Sequence, residues 1–133
     1  MKINWSKDWK ASVRPSKQRK YRYHAPLHVR RSFLGIHLSP ELRKKHGTRT
    51  ATVRKGDTVK ILRGQYKKKT GKVNKVLMKN EKVYVEGIEN VRKDGTKTFI
   101  PLPPSNLMIT DLELNDKRRK IGPKKEIKKQ EKK

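Results

Sequence analysis

At 133 residues and 15.6 kDa the chain has room for one compact domain with extensions, and its 31% apolar content excludes a large core. Lys and Arg number 38 against 12 Asp and Glu, a formal net charge of +26, so a polyanion is needed to offset self-repulsion. Cysteine is absent, which excludes disulfides and thiolate metal sites, and no run approaches the roughly 20 apolar residues of a membrane helix. Met1-Lys2-Ile3-Asn4-Trp5 has no apolar stretch behind its charge, so no secretory signal is expected and the protein reads as soluble and intracellular. Nucleic acid is the partner this charge suits, since release of phosphate counterions would drive much of the binding.

The charge is segregated. Residues 1–55 carry a net +14, residues 56–116 only +4, and residues 117–133 a net +8. This pattern predicts a basic arm over 1–24, short helices over 25–49, a small barrel over 50–112 and a basic tail over 113–133.

Along the arm, residues 10–24 interleave basic and aromatic side chains with almost no aliphatic ones, so the segment is expected to stay extended until it meets RNA. Arg14, Lys17, Arg19, Lys20 and Arg22 suit phosphates, and Tyr21 and Tyr23 suit unpaired bases. Trp5 and Trp9 share a helical face, open to packing on a neighbour or stacking on a base. Pro26 suits the first turn of a helix reaching about Ile36. A second helix starts at Ser39, with Ser39 as N-cap, Pro40 at the first position and Gly47 as its stop. Arg30, Arg31, Arg43, Lys44 and Lys45 are the phosphate candidates of this helical stretch. His24 and His28 are four apart, a spacing that can hold zinc on a helix, but no third ligand accompanies them. No metal or cofactor is expected.

The middle reads as a series of short strands at close spacing with no helical period between them, hence a mostly β chain with a small five-stranded barrel. Asp57 to Leu62 alternates, with Val59 and Ile61 facing one way. Gly64 to Gly71 is a lysine-filled loop, and strand resumes from Lys72 to Met78; the step from Val73 to Val76 breaks alternation and predicts a bulge. Val83 to Glu86 and Ile88 to Arg92 are β-rich, and Asp94-Gly95 predicts a two-residue hairpin turn with both central residues at positive φ. Thr98 to Ile100 runs back, the prolines at 101, 103 and 104 stop it, and Leu107 to Thr110 closes the series. Candidate RNA contacts here are Arg54, Lys55, Arg63, Gly64, Gln65, Lys67, Lys68, Lys69, Gly71 and Lys72, with Tyr66 open between barrel packing and base stacking. Asp57 and the other acidic residues of this region read as solubilising groups or partners of nearby lysines. Lys117, Arg118 and Arg119 open a low-complexity tail that reads as disorder or a frayed helix and adds three more candidate contacts. No Ser/His/Asp set, phosphate-cradling glycine loop or metal cluster stands out, so catalysis is not expected.

Val53 through Val76 resembles a KOW motif: strand, basic loop, glycine, second strand. The glycine at 71 is expected to turn the chain with positive φ and admit a phosphate to its backbone. Tyr23-His24-Ala25-Pro26-Leu27-His28-Val29-Arg30-Arg31, Leu38 to Arg43, Pro104 to Thr110 and Lys117-Arg118-Arg119 are similar to large-subunit ribosomal protein twenty-four in its archaeal form, whose eukaryotic counterpart is numbered twenty-six. The resemblance spans about Lys17 to Arg119. It implies an SH3-like barrel and a structural role in the large ribosomal subunit, on the 5′ domain of large-subunit ribosomal RNA, early in assembly and near the nascent-chain exit. Neighbouring large-subunit proteins are implied partners, nascent-chain-associated factors are left open, and no membrane is involved. The alternatives are a KOW-type transcription elongation or RNA-binding regulator, which usually carries a separate α/β domain this length does not hold, and an architectural DNA binder.

Overall fold

The computed structural model describes residues 5–119 and 121. Helix α1 (Pro15–His24) follows a 3-10 turn, Lys7–Ala11, and α2 (Leu27–Phe33) follows directly. Strand β1 (Gly35–Leu38), helix α3 (Pro40–His46) and strand β2 (Thr50–Thr52) lead into β3 (Thr58–Ile61), β4 (Thr70–Leu77) and β5 (Lys82–Val85). The β6–β7 hairpin (Glu89–Val91, Lys97–Phe99) and β8 (Leu107–Asp111) complete the described elements.

Six strands form one sheet in the order β2-β1-β8-β3-β4-β5. All neighbours in it run antiparallel except β1 and β8, where His37 pairs with Met108 and Leu38 with Ile109 in parallel. The edge of β5 is continued by an antiparallel bridge between Val83 and Leu102. Inward-facing residues of period two make the core: Ile36 and Leu38, Val59 and Ile61, Val83 and Val85, Leu107 and Ile109 are all buried. Alternation in β3 and β5 is therefore the cause of their burial, with Thr58, Lys60, Lys82 and Tyr84 on the other face.

The mostly β architecture with a helical N-terminal part matches the expectation, while several details differ. The sheet takes one strand, β1, from the 25–49 stretch read as short helices, and β2 at Thr50–Thr52 adds another that the sequence reading did not place. Helix α2 stops at Phe33, and Leu34, Ile36 and Leu38 turn inward to the core, so 25–49 is not a separate layer of helices. Gly35 packs closely against the Ser32 carbonyl, and a Cβ there would stand 3.3 Å from that oxygen, which fits a chain leaving its helix abruptly. Helix α3 does form as read: the Ser39 hydroxyl accepts from Leu42 N, and Gly47 ends the helix at φ 63°.

The register of β4 on β5 shifts between Val73 and Lys75, the irregularity that the broken alternation calls for. The Asp94-Gly95 turn differs from the expected two-residue form. Arg92 N donates to Thr96 O and Gly95 N to Arg92 O, which encloses three residues, and only Gly95 has positive φ. Asp94 Oδ1 accepts from the Thr96 hydroxyl and amide, and these bonds hold its carboxyl below the usual carboxylate range.

Candidate nucleic-acid interface

The arm is not extended. Pro15 fixes the first turn of α1, and Gln18 Nε2 ties the helix back to the preceding turn through Lys10 O at 2.8 Å and Ser12 O at 2.7 Å. Tyr21 is buried: its ring stacks on Trp5 at 5.5 Å and meets Phe33 edge-on at 6.0 Å. Trp5 Nε1 donates to Tyr21 O. Three aromatic side chains thus supply the apolar contact that the aliphatic-poor segment lacks, and Tyr21 has no free face for a base. Tyr23 remains 76% exposed. His24 ends α1 and His28 lies in α2, with Ala25 and Pro26 between, so the pair does not share a helix.

The basic loop between β3 and β4 is tied down by its own backbone. Ile61 N donates to Lys69 O and Lys68 N to Ile61 O, both at 2.9 Å; Lys67 N reaches Gly64 O and Lys69 N reaches Tyr66 O. Gly64 at φ +95° and Lys68 at φ 73° supply the left-handed turns. Tyr66 packs against the core, donates its hydroxyl to Glu89 O at 3.3 Å, and carries the Lys69 ammonium 5.2 Å from its ring centre. That resolves Tyr66 as a packing residue. Arg63, Gln65, Lys67, Lys68 and Lys69 stand exposed around it.

Gly71 does not turn the chain as expected. It lies inside β4 without positive φ, and a Cβ there would sit 2.5 Å from Glu86 O and 2.7 Å from Val85 Cγ1. Its glycine is demanded by the close approach of the next strand, not by a turn or a phosphate. The positive φ belongs to Gly64, which has open space around it.

Other cations are already engaged. Arg30 donates Nε to Ala25 O at 2.9 Å and Nη1 to Lys79 O at 2.7 Å, and Nη2 also meets Tyr23 O. Its guanidinium clamps the α1–α2 junction to the β4–β5 turn through three carbonyls. The Arg119 side chain is buried against Asp57, itself fully buried, which removes both from the surface roles read for them. Arg22 pairs with Glu81 and lies 5.5 Å over the Phe33 ring, and Arg54 pairs with Asp116. Asp116 is held below its ordinary value chiefly by the Arg118 backbone N–H and next by the Arg54 guanidinium. Arg43 gives Nε to Leu38 O but remains exposed.

These three are the ion pairs among the described residues. Arg14, Lys17, Arg19, Lys20, Arg31, Lys44, Lys45, Lys55, Lys72, Lys117 and Arg118 are therefore exposed without a carboxylate partner there, as are the loop cations. They ride on α1, α2, α3, β4, the turn before β3 and the turn after β8, a set of fixed mounts. No group of three or more His, Cys, Asp or Glu side chains among the described residues could hold a metal, and no described helix is long and apolar enough to cross a membrane.

A family model for ribosomal proteins, L26 of eukaryotes and their L24 counterparts of archaea, matches residues 12–125. The chain belongs to this family. The large ribosomal subunit protein uL24 of Methanosarcina barkeri is 51% identical over 114 residues, covering 86% of this chain and 98% of its own length. That of Methanocella arvoryzae is 53% identical over 108 residues, covering 81% and 87%. Membership in this family makes the chain a structural ribosomal protein rather than an enzyme. The match includes α1, α2 and α3 with the sheet, so the helical part belongs to the family's shared body.

Residues that line the surface but escape the sequence reading are Thr48, Thr50 and Thr52. Their spacing of two is the available signal for β2, masked by the helix expected just before them.

Proposed function

We propose that the chain is a structural constituent of the large ribosomal subunit that binds the 5′ domain of large-subunit ribosomal RNA and supports early subunit assembly near the nascent-chain exit. The observation that carries the binding is the surplus of exposed Lys and Arg on fixed mounts, beside few carboxylates, three of which are already paired. Cations mounted on ordered backbone leave only their side-chain rotamers to be fixed on meeting phosphates, and each one displaces condensed counterions. The proposed contacts are Arg14, Lys17, Arg19, Lys20 and Tyr23 from the α1 region, Arg31, Lys44 and Lys45 from the next helices, Arg63, Gln65, Lys67, Lys68 and Lys69 from the loop, and Lys55, Lys72, Lys117 and Arg118 beside them. The RNA domain, the time of assembly and the exit location rest on the family resemblance. Neighbouring large-subunit proteins are the proposed protein partners, in the ribosomes of the cytoplasm.

Sedimentation of ribosomes from cells carrying a tagged copy tests this reading. Stoichiometric tag in the large-subunit fraction is expected. A tag that runs free, or with RNA polymerase, overturns it.

A further inference from the structure

Between β2 and the C-terminal turn lies a cleft of about 240 Å³, walled by Arg31, Arg54, Arg118, Arg119, Thr48 and Thr50 among others. Three separate parts of the chain bring its arginines together: α2, the turn before β3, and the segment after β8. Two of the four guanidiniums are neutralised, Arg119 by Asp57 and Arg54 by Asp116. Arg31 and Arg118 have no carboxylate partner among the described residues, so the cleft keeps an excess of about two positive charges. Such a concentration of like charge in a small concavity is unfavourable until an anion enters.

A second observation points the same way. The Thr48 hydroxyl oxygen is shut off from solvent and has no hydrogen-bond partner among the described residues, yet Thr48 lines this cleft. Buried hydroxyls are nearly always bonded, so one left unpaired on a residue of this arginine-lined cleft has a hydrogen-bonding capacity still to be filled. At about 30 Å³ per water, the space takes a tetrahedral oxyanion and several waters. Its walls are hydroxyls and guanidiniums rather than aromatic faces, which selects phosphate over a nucleobase.

We propose that this cleft is a seat for a single phosphate, a backbone phosphodiester of the bound RNA, held by Arg31, Arg118 and the Thr48 hydroxyl. The inference rests on the RNA-binding reading and adds a specific anchoring point to it. Arg119 and Arg54 act as positioning residues: the buried pair with Asp57 fixes the turn that carries Arg118.

The test is a double-mutant cycle on the full-length protein, binding a transcript of large-subunit ribosomal RNA over a range of salt. Arg31→Gln and Arg118→Gln should each weaken binding about tenfold, as loss of one charge-assisted hydrogen bond does. Because both cations meet the same phosphate, each single variant leaves it neutralised by the other and should change the salt slope little, whereas the double variant should lower it by about 0.9. Thr48→Val should weaken binding with the slope unchanged. Slope losses that add in the double variant would show two separate phosphates and overturn the seat, as would variants that bind like the parent. Wild-type protein that ignores the transcript would sink the RNA reading instead, which separates the two failures. Inorganic phosphate and pyrophosphate, titrated as competitors, decide the source: competition only at concentrations matching general ionic strength is expected for a phosphodiester seat, and tight saturable binding of free phosphate would contradict it. Unchanged thermal melting of Arg31→Gln keeps a folding defect from mimicking the result.

Discussion

Arg119 grips both oxygens of the Asp57 carboxylate, Nη1 at 2.5 Å from Oδ1 and Nη2 at 2.8 Å from Oδ2, across 62 positions of sequence. The same carboxylate accepts from Arg54 N at 2.8 Å and Glu113 N at 3.1 Å, so its acceptor sites are filled. Arg119 in turn donates to Glu113 O and Thr52 O. One buried ion pair therefore stitches the segment after β8 to the turn before β3. Removing one partner strands a buried charge, so Arg119→Met should lower unfolding free energy by about 3–5 kcal/mol. Replacing both residues, Asp57→Leu with Arg119→Met, should cost less than the two single changes summed. Urea midpoints of the three variants check this; strictly additive losses would contradict it.

Gly71 and Gly64 should behave oppositely to what a motif of turn glycines suggests. Gly71→Ala drives a Cβ into the Glu86 carbonyl and should destabilise by about 1–3 kcal/mol through overpacking. Gly64→Ala meets open space and should cost about 1 kcal/mol, from its left-handed backbone alone. Thermal unfolding of the two variants decides it, and a smaller loss for Gly71→Ala would remove the argument from strand proximity.

Arg30 and the loop lysines separate stability from binding. Arg30→Ala removes three hydrogen bonds to carbonyls and should lower stability while leaving the salt slope of RNA binding where it was. Replacing Lys67, Lys68 and Lys69 by Ala should do the reverse, reducing the slope by about 0.9 for each phosphate no longer neutralised, with little change in melting. A slope change in Arg30→Ala would return that residue to the interface.

Asp116 carries a pH signature. Its carboxyl is held below the ordinary 3.8, first by the Arg118 backbone N–H and then by Arg54. A depressed carboxyl stabilises its turn above its unfolded value and loses that contribution as pH falls through the folded one. The turn should therefore persist at pH values just under 3.8 and open only below them. Arg54→Gln should restore only part of the shift, because the backbone bond survives. Carbon NMR titration of the carboxyl measures both, and full restoration in Arg54→Gln would show the guanidinium to be the main cause.

How much the residues disclose depends on where their partners lie. Strands β3 and β5 are legible because alternation is local, β4 and β8 because their β-rich runs follow a glycine and a set of prolines, and α3 because Ser39, Pro40 and Gly47 mark both of its ends. Strand β1 is not, since Gly35-Ile36-His37-Leu38 is a short run whose strand state is set by pairing with β2 and β8. The helix at Pro15–His24 is hidden by its polarity; it is held by Trp5, Gln18 and Phe33 contacts that no periodicity announces. The same limit applies to the surface. Exposure of Lys67 to Lys69 follows from a loop between two glycines, whereas the engagement of Arg119 by Asp57 requires two distant segments to meet. Residues 122–133, the larger part of the basic tail read as disorder or a frayed helix, lie outside those described.

The central claim is that fixed surface cations meet RNA phosphates, and the salt dependence of binding to a large-subunit ribosomal RNA transcript tests it most directly. If roughly ten phosphates are neutralised, log K should fall against log[salt] with a slope of about −7 to −9. A slope near zero would contradict the account.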